Sequence, residues 1–341
     1  MSQADTVHIV YASDDNFAEI LGVSLVSLFE NSKDVDDIKI YILDSGISTL
    51  NHQRIEEVCD KYQRKLPVWI KAHNITEELG IKVAVDRGSL SQYARLFISR
   101  DLPNDLHRVL YLDCDVIVVQ SISKLWNLDM YGKTIAALND AFSKYYRENI
   151  DLQPNGIMFN SGVMLIDLDR WKKLRVEDRL LHFIEEKHGK IQQGDQGALN
   201  AVLSHDCYCF DPVFNSVTIF YDFTYSELLT YRKPVKGYYS EAEVKNAAEH
   251  PAIIHFTTSF LSKRPWMNGC EHRYCQQWRQ YKKISPWKDE PFREDSRNPW
   301  KVNIFNRLPR KLAINVAGFF QAYGRPLKNN IKHIMYSIKG I

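Results

Sequence analysis

The sequence predicts an α/β domain built on one central sheet with helices on its faces. Short β-branched runs alternate with helix-length segments through the first 120 residues, as βαβ units do. Those runs are apolar at consecutive positions rather than at every second one, which marks strands covered on both sides. The chain also has 341 residues, of which 45% are apolar and 25% charged, enough for a large core in a globular protein.

The elements follow in order. "VHIVYA" (7–12) is a strand, and Phe17 to Asn31 a helix opened by the cap-like "SDDN". "IKIYIL" (38–43) is a second strand, followed by a helix from Thr49 to Arg64. "LPVWIKA" gives a third strand, "SLSQYARLFIS" a helix, and "RVLYLDCDVIVV" (108–119) a fourth strand. Strands joined through helices this way run parallel, with right-handed crossovers. Later come the strand "FNSGVMLIDL" (159–168), a helix from Asp169 to Lys187, a short helix in "DQGALNAVL" (195–203) and a last strand, "AIIHF" (252–256). Pro286, Pro291, Pro299 and Pro309 then crowd residues 285–309, which reads as a linker. The expected division is a main domain over 1–290 and a tail over 291–341.

Charge supports that division. From Arg297 onward there are nine Lys/Arg and no acid, leaving 35 basic against 42 acidic residues in the body. The tail is an expected basic amphipathic extension, with Leu312, Val316, Phe319 and Phe320 on one side of a helix. Such a helix suits an anionic membrane surface, and packing against the acidic body or a partner subunit is the competing reading. Apolar residues are too frequent among its cations for nucleic acid. No run reaches the roughly 18 apolar residues of a membrane span. The N-terminus lacks a leader pattern, and six scattered cysteines form neither a disulfide framework nor a zinc site. The expected location is therefore cytoplasmic, peripheral on the inner face of the membrane.

Asp113 and Asp115 sit inside the fourth apolar run. Two carboxylates two residues apart on a strand face one small volume, and a divalent cation would let both ionise there. Against this stands a turn cap beside a solvated acid. No G-x-G-x-x-G follows the first strand and no P-loop motif occurs, which disfavours a dinucleotide dehydrogenase or a P-loop NTPase. "LYLDCDVIV" also fits the D-x-D strand of haloacid-dehalogenase phosphatases, but there the motif lies on the first strand and here it follows three strand–helix units.

Five stretches resemble glycosyltransferase family 8: "IVYASDDNF" (9–17), "YARLFI" (93–98), "VLYLDCDV" (109–116), "FNSGVMLIDLDRW" (159–171) and "GDQGALN" (194–200). "IIHFTTSFLSKRPW" (253–266) matches more loosely. The resemblance implies a GT-A fold, a single Rossmann-like mixed sheet flanked by helices, and a retaining enzyme that moves galactose or glucose from a UDP-sugar to a saccharide acceptor of a cell-surface glycan or glycoprotein. It implies a metal, Mn²⁺ with Mg²⁺ as a substitute, on Asp113, Asp115 and His255. It assigns the nucleotide to Ala12, Asp14 and Asn16, with Cys114 between the metal ligands, the donor sugar and phosphates to Arg95, Asn160, Ser161, Asp195 and Gln196, and the acceptor or the sugar to Asp140. Gln196 then lies beneath the anomeric carbon, and one of Lys263 and Arg264 reaches the diphosphate. Each has a plainer alternative: caps for Asp14, Asn16, Asp195 and Gln196, a core histidine for His255, surface cations for Arg95, Lys263 and Arg264, a turn residue for Asp140, a bulge for Asn160 to Gly162. A D-x-D phosphatase and a non-catalytic nucleotide-sugar or glycan-binding protein are the competing functions.

Overall fold

A computed structural model describes residues 6–84, 89–295 and 300–331. Ten strands form two sheets: β1 Val7–Ser13, β2 Ile38–Asp44, β3 Val68–Lys71, β4 Arg108–Leu112, β5 Val116–Val118, β6 Ile135–Asn139, β7 Phe159–Asp167, β8 Cys207–Cys209, β9 Ser216–Val217 and β10 Ile253–His255. The large sheet has the order β3-β2-β1-β4-β7-β6-β8 and the small one β5-β10-β9.

The first half is parallel as its strand–helix alternation predicts: β1 pairs in parallel with β2 on one side and β4 on the other, and β2 with β3. Crossovers therefore leave β1 in opposite directions, and a crevice opens at the carboxyl ends of β1 and β4. The sheet is mixed because β7 runs antiparallel between β4 and β6. Ile9, Val10, Val109 and Leu110 are fully buried, as continuous apolar strands require.

Three sequence expectations change in the fold. The run 108–119 is not one strand. It breaks at Asp113–Asp115, where β4 of the large sheet gives way to β5 of the small one. The backbone stays paired across the break: Asp113 N–H donates to the Gly162 carbonyl at 2.7 Å, and Phe256 N–H to the Asp115 carbonyl at 2.9 Å. The aspartates thus sit on the joint between sheets. Similarly, the helix expected over 169–187 is two, Leu168–Lys173 and Val176–Glu186, separated by Arg175 in a left-handed conformation.

The third change concerns residues 285–309. Trp287, in the proline-rich stretch read as a linker, is buried against Gly22 of the helix Ala18–Asn31 and donates to Asn51 Oδ1 at 3.0 Å. A Cβ on Gly22 would lie 2.1 Å from the indole, so this helix approaches closely only because it has none. Further on, Phe305, Ala313 and Ile314 are buried, and Arg310 forks onto Glu227 at 2.8 and 2.9 Å. Leu312, Val316, Phe319 and Phe320 face outward, the last two 59% and 63% exposed. Residues 332–341, the end of the expected tail, lie outside the described residues. Among the described residues no helix is long and apolar enough to cross a membrane.

Candidate active site

A cavity of about 470 Å³ opens at the ends of β1 and β4. Its floor is the joint between sheets. Asp113 and Asp115, at the two ends of the joint between β4 and β5, and His255, on β10, bring one ligand atom each within 4.8 Å of one another. His255 Nε2 lies 3.1 Å from Asp115 Oδ1 and 3.8 Å from Asp113 Oδ2.

The histidine is oriented from behind. Its Nδ1 lies 3.0 Å from Asn215 Oδ1, while the Asn215 amide donates to Asn160 Oδ1 at 2.9 Å. With the amide nitrogen spent on Asn160, the Asn215 oxygen accepts from His255 Nδ1–H. That tautomer leaves the Nε2 lone pair aimed at the two carboxylates, the arrangement metal-binding histidines use.

Gly162 makes the space. The β6–β7 pairing jumps from Met164 to Asn160, leaving Ser161, Gly162 and Val163 bulged on that side. A Cβ on Gly162 would lie 2.2 Å from His255 Cε1 and 2.8 Å from Asp113 Oδ2. Two carboxylates and one imidazole suit Mn²⁺ or Mg²⁺, which accept oxygen and nitrogen donors with positions left for phosphate. The residues therefore fit a divalent cation.

Arg95 ties this floor to Asp195 of the helix Gly194–Leu203 and to β7. Its Nη2 lies 2.7 Å from Asp113 Oδ1, its Nε 3.0 Å from Asp195 Oδ2, and its Nη1 donates to the Ser161 carbonyl at 2.8 Å. Burial opposes its charge, but the Asp113 and Asp195 carboxylates overcome this and hold it firmly protonated. Burial raises the Asp195 carboxyl to about 6 although Arg95 pulls the other way. Asp140 is likewise raised by burial, against the charge of Arg232. Asp140 accepts from the Ala141 N–H at 2.8 Å and faces the Asn160 amide.

Asn200 fixes the helix Gly194–Leu203 against β7, exchanging both hydrogen bonds with the Phe159 backbone at 2.7 and 2.8 Å. Gln196 therefore meets Ser161, whose N–H and hydroxyl reach its Oε1 at 3.2 and 3.4 Å.

The cavity brings together Ala12, Arg95, Asp113, Cys114, Asp115, Asp140, Asn160, Ser161, Asp195, Gln196 and His255. Cys114 is neutral, raised by burial, and its thiol donates to the Ala12 carbonyl at 3.2 Å. Asp14 and Asn16 do not line the cavity: Asp14 caps the turn at Phe17 N, and the Asn16 carbonyl accepts from Arg293. Of the two cations in "SKRPW", Arg264 reaches the floor, 3.3 Å from Asp115 Oδ2, whereas Lys263 donates to the Asn268 carbonyl and neighbours Asp295. Sequence reasoning missed Phe17 and Tyr111, which were inside quoted motifs, and Arg232 and Arg325, which no motif marks.

A metal-competent floor at the switch point of a mixed sheet places the protein in the class of α/β proteins that bind a ligand at the carboxyl ends of their strands. The model of the family "Glycosyl transferase family 8" matches residues 8–270, and the chain belongs to that family. It is a glycosyltransferase with the GT-A fold, and membership sets the phosphatase reading aside. General stress protein A of Bacillus subtilis is 32% identical over 292 residues, 84% of this chain and 96% of that protein. The lipopolysaccharide 1,2-glucosyltransferase of Escherichia coli K12 is 24% identical over 297 residues, 86% of this chain and 82% of that one. Among solved structures, the galactosyltransferase LgtC in complex with donor and acceptor sugar analogs superimposes with a TM-score of 0.68 at 23% identity, covering 82% of this chain and 96% of that one.

Proposed function

We propose that the protein is a retaining hexosyltransferase that moves galactose or glucose from the UDP-sugar to a saccharide acceptor of a cell-surface glycan or glycoprotein, with Mn²⁺ as its metal and Mg²⁺ as a substitute. The observation that carries this reading is the convergence of Asp113, Asp115 and His255 Nε2 on one point of the cavity floor. A bound divalent cation there would act as Lewis acid on the leaving diphosphate.

The chain's own residues do the rest. Ala12 and Phe17 are apolar lining of the cavity, against which a base would lie; Asp14 and Asn16 stay in the capping turn outside the lining. Arg264 is the better placed of the two basic candidates to meet a phosphate, because it already stands beside Asp115. Asp140, Asn160, Ser161, Asp195 and Arg95 line the space a hexose would fill, and Gln196 faces it from the helix Gly194–Leu203. An amide is a weak nucleophile beside a carboxylate, so a covalent intermediate on Gln196 is disfavoured. Attack comes from the face the diphosphate leaves, and a departing phosphate oxygen takes the acceptor hydroxyl's proton. Trapping a glycosyl-enzyme adduct during turnover would refute that step.

We place the enzyme at the cytoplasmic face of the membrane. Leu312, Val316, Phe319 and Phe320 are exposed beside Lys311 and Arg307, as interfacial binding needs. Sedimentation with anionic vesicles tests this, comparing the full chain with one ending near residue 290: equal binding by both chains, or none at low salt, excludes the tail as the membrane contact.

The transferase reading is tested by incubating the protein with UDP-hexoses, Mn²⁺ and saccharide acceptors while following UDP and the glycosylated product. Metal-dependent UDP release with product supports it. Tight UDP-hexose binding without release from any donor would make the protein a non-catalytic binder.

A further inference from the structure

At the donor end of the cavity each arginine is matched by carboxylates. Arg95 is clamped by Asp113 and Asp195, and Arg264 pairs with Asp115. Those of the wall built from the C-terminal half are not. Arg232, the last residue of the helix Tyr225–Arg232, and Arg325, just past the turn Phe320–Gly324, line the same cavity. Among the described residues neither guanidinium has a carboxylate within 4.0 Å.

Arg232 is held by its neighbours, and the exposed Arg325 stands on an anchored turn. Arg232 lies over the Phe142 and Tyr231 rings, each 5.4 Å from its guanidinium carbon, and its Nε is buried without a hydrogen-bond partner. Arg325 follows a turn stitched to the body: Ser143 donates to the Ala322 carbonyl at 2.6 Å, Tyr146 to Gln321 at 2.9 Å, and Asn149 to Pro326 at 3.1 Å. The neighbouring Lys233 lies 5.3 Å above the Tyr323 ring of the same turn. The carboxylate whose titration feels Arg232 is Asp140, which is already engaged by Ala141 and Asn160.

A cation kept at a cavity wall with a buried, unsatisfied N–H costs stability unless a ligand completes it. Guanidinium forks match the planar or tetrahedral oxygens of carboxylate and phosphate. Resting on the transferase reading, we propose that the Arg232–Arg325 wall receives a negatively charged group, phosphate or carboxylate, on the acceptor saccharide, so that these two arginines determine acceptor specificity. The donor diphosphate is met elsewhere, at the Asp113–Asp115–His255 floor.

The test uses the full chain loaded with Mn²⁺ and UDP, and compares binding of glucose, glucose 6-phosphate, glucuronate and an octyl-phosphate-linked glucose by calorimetry. At least one charged probe binds about tenfold or more tightly than glucose at about 50 mM salt, and the preference shrinks as salt screens it. Which probe leads distinguishes a sugar phosphate, an acidic sugar and a lipid-linked phosphate. Arg232→Gln and Arg325→Gln each remove about tenfold of the preference while UDP affinity stays within about twofold. The exposed Arg325 supplies a variant that folds even if Arg232→Gln does not. Glucose binding as well as every charged probe would overturn the proposal, as would variants that keep the preference or lose UDP affinity. If no UDP-hexose is turned over by the wild type, the transferase reading fails, and this binding comparison still returns its own answer.

Discussion

Gly162→Ala is the substitution that interrogates the metal floor most sharply, because it adds one methyl group and removes no ligand. The new Cβ would stand 2.2 Å from His255 Cε1 and 2.8 Å from Asp113 Oδ2. Carbon–carbon contact needs about 3.5–4.0 Å, so the imidazole must retreat by roughly 1.3–1.8 Å or the β7 bulge must move. The ring has little room: it is 4% exposed and anchored through Nδ1 to Asn215. Metal–ligand distances tolerate only about 0.2 Å, so a shift of that size removes a ligand. Overpacking costs about 1–3 kcal/mol, less than the usual 5–15 kcal/mol of a folded domain, so the variant stays folded. Disturbing the support of a metal ligand costs 10–100-fold, and losing the ligand position puts the expected loss of Mn²⁺ affinity near or above about 100-fold. Mn²⁺ titration by electron paramagnetic resonance, with circular dichroism to verify folding, reads this directly. A folded Gly162→Ala protein that binds Mn²⁺ within about threefold of wild type would refute the assignment of the floor.

Three further outcomes are expected. Gln196→Ala lowers turnover much more than UDP affinity, because the side chain meets Ser161 rather than the apolar lining; parallel kinetics and UDP titrations separate the two effects. Arg95→Met leaves Asp113 and Asp195 without their shared cation and destabilises the fold by about 3–5 kcal/mol in urea unfolding, against about 1 kcal/mol if the pair were an ordinary surface contact. His272 is buried, and burial lowers its pKa to about 4. The unfolded chain therefore takes up a proton near 6.5 that the folded one refuses, so stability falls as pH drops from about 6.5 to 4. The loss reaches at most about 3 kcal/mol, and His272→Phe flattens that part of the curve.

What the sequence revealed was local. The apolar runs of β1, β2 and β7 carry their own pattern, and Asp113 and Asp115 stand out because they interrupt one. The break between β4 and β5 was hidden because valines and isoleucines continue across it, and only the partners, β7 on one side and β10 on the other, divide the run. Arg232 and Arg325 were invisible for a related reason: they are separated by 93 positions, and only packing of the C-terminal turn onto Ser143, Tyr146 and Asn149 brings them to one wall. Proline density at residues 285–309 gave no sign of the burial of Trp287 against Gly22 or of Phe305. Ala12, Asn160, Asp195 and Gln196 were picked out through family motifs and line the cavity, whereas Asp14 takes the capping role its local sequence also suggested and Asn16 offers its carbonyl to Arg293, which no local pattern marked.

The central claim is that Asp113, Asp115 and His255 hold the cation on which hexosyl transfer depends. The direct measurement is UDP release and product formation from UDP-galactose and UDP-glucose, with and without Mn²⁺, by the wild type and by Asp115→Asn. The account predicts release by the wild type that chelation abolishes and added Mn²⁺ restores, and none above background by a folded Asp115→Asn protein. Near-normal, metal-dependent transfer by Asp115→Asn would contradict it.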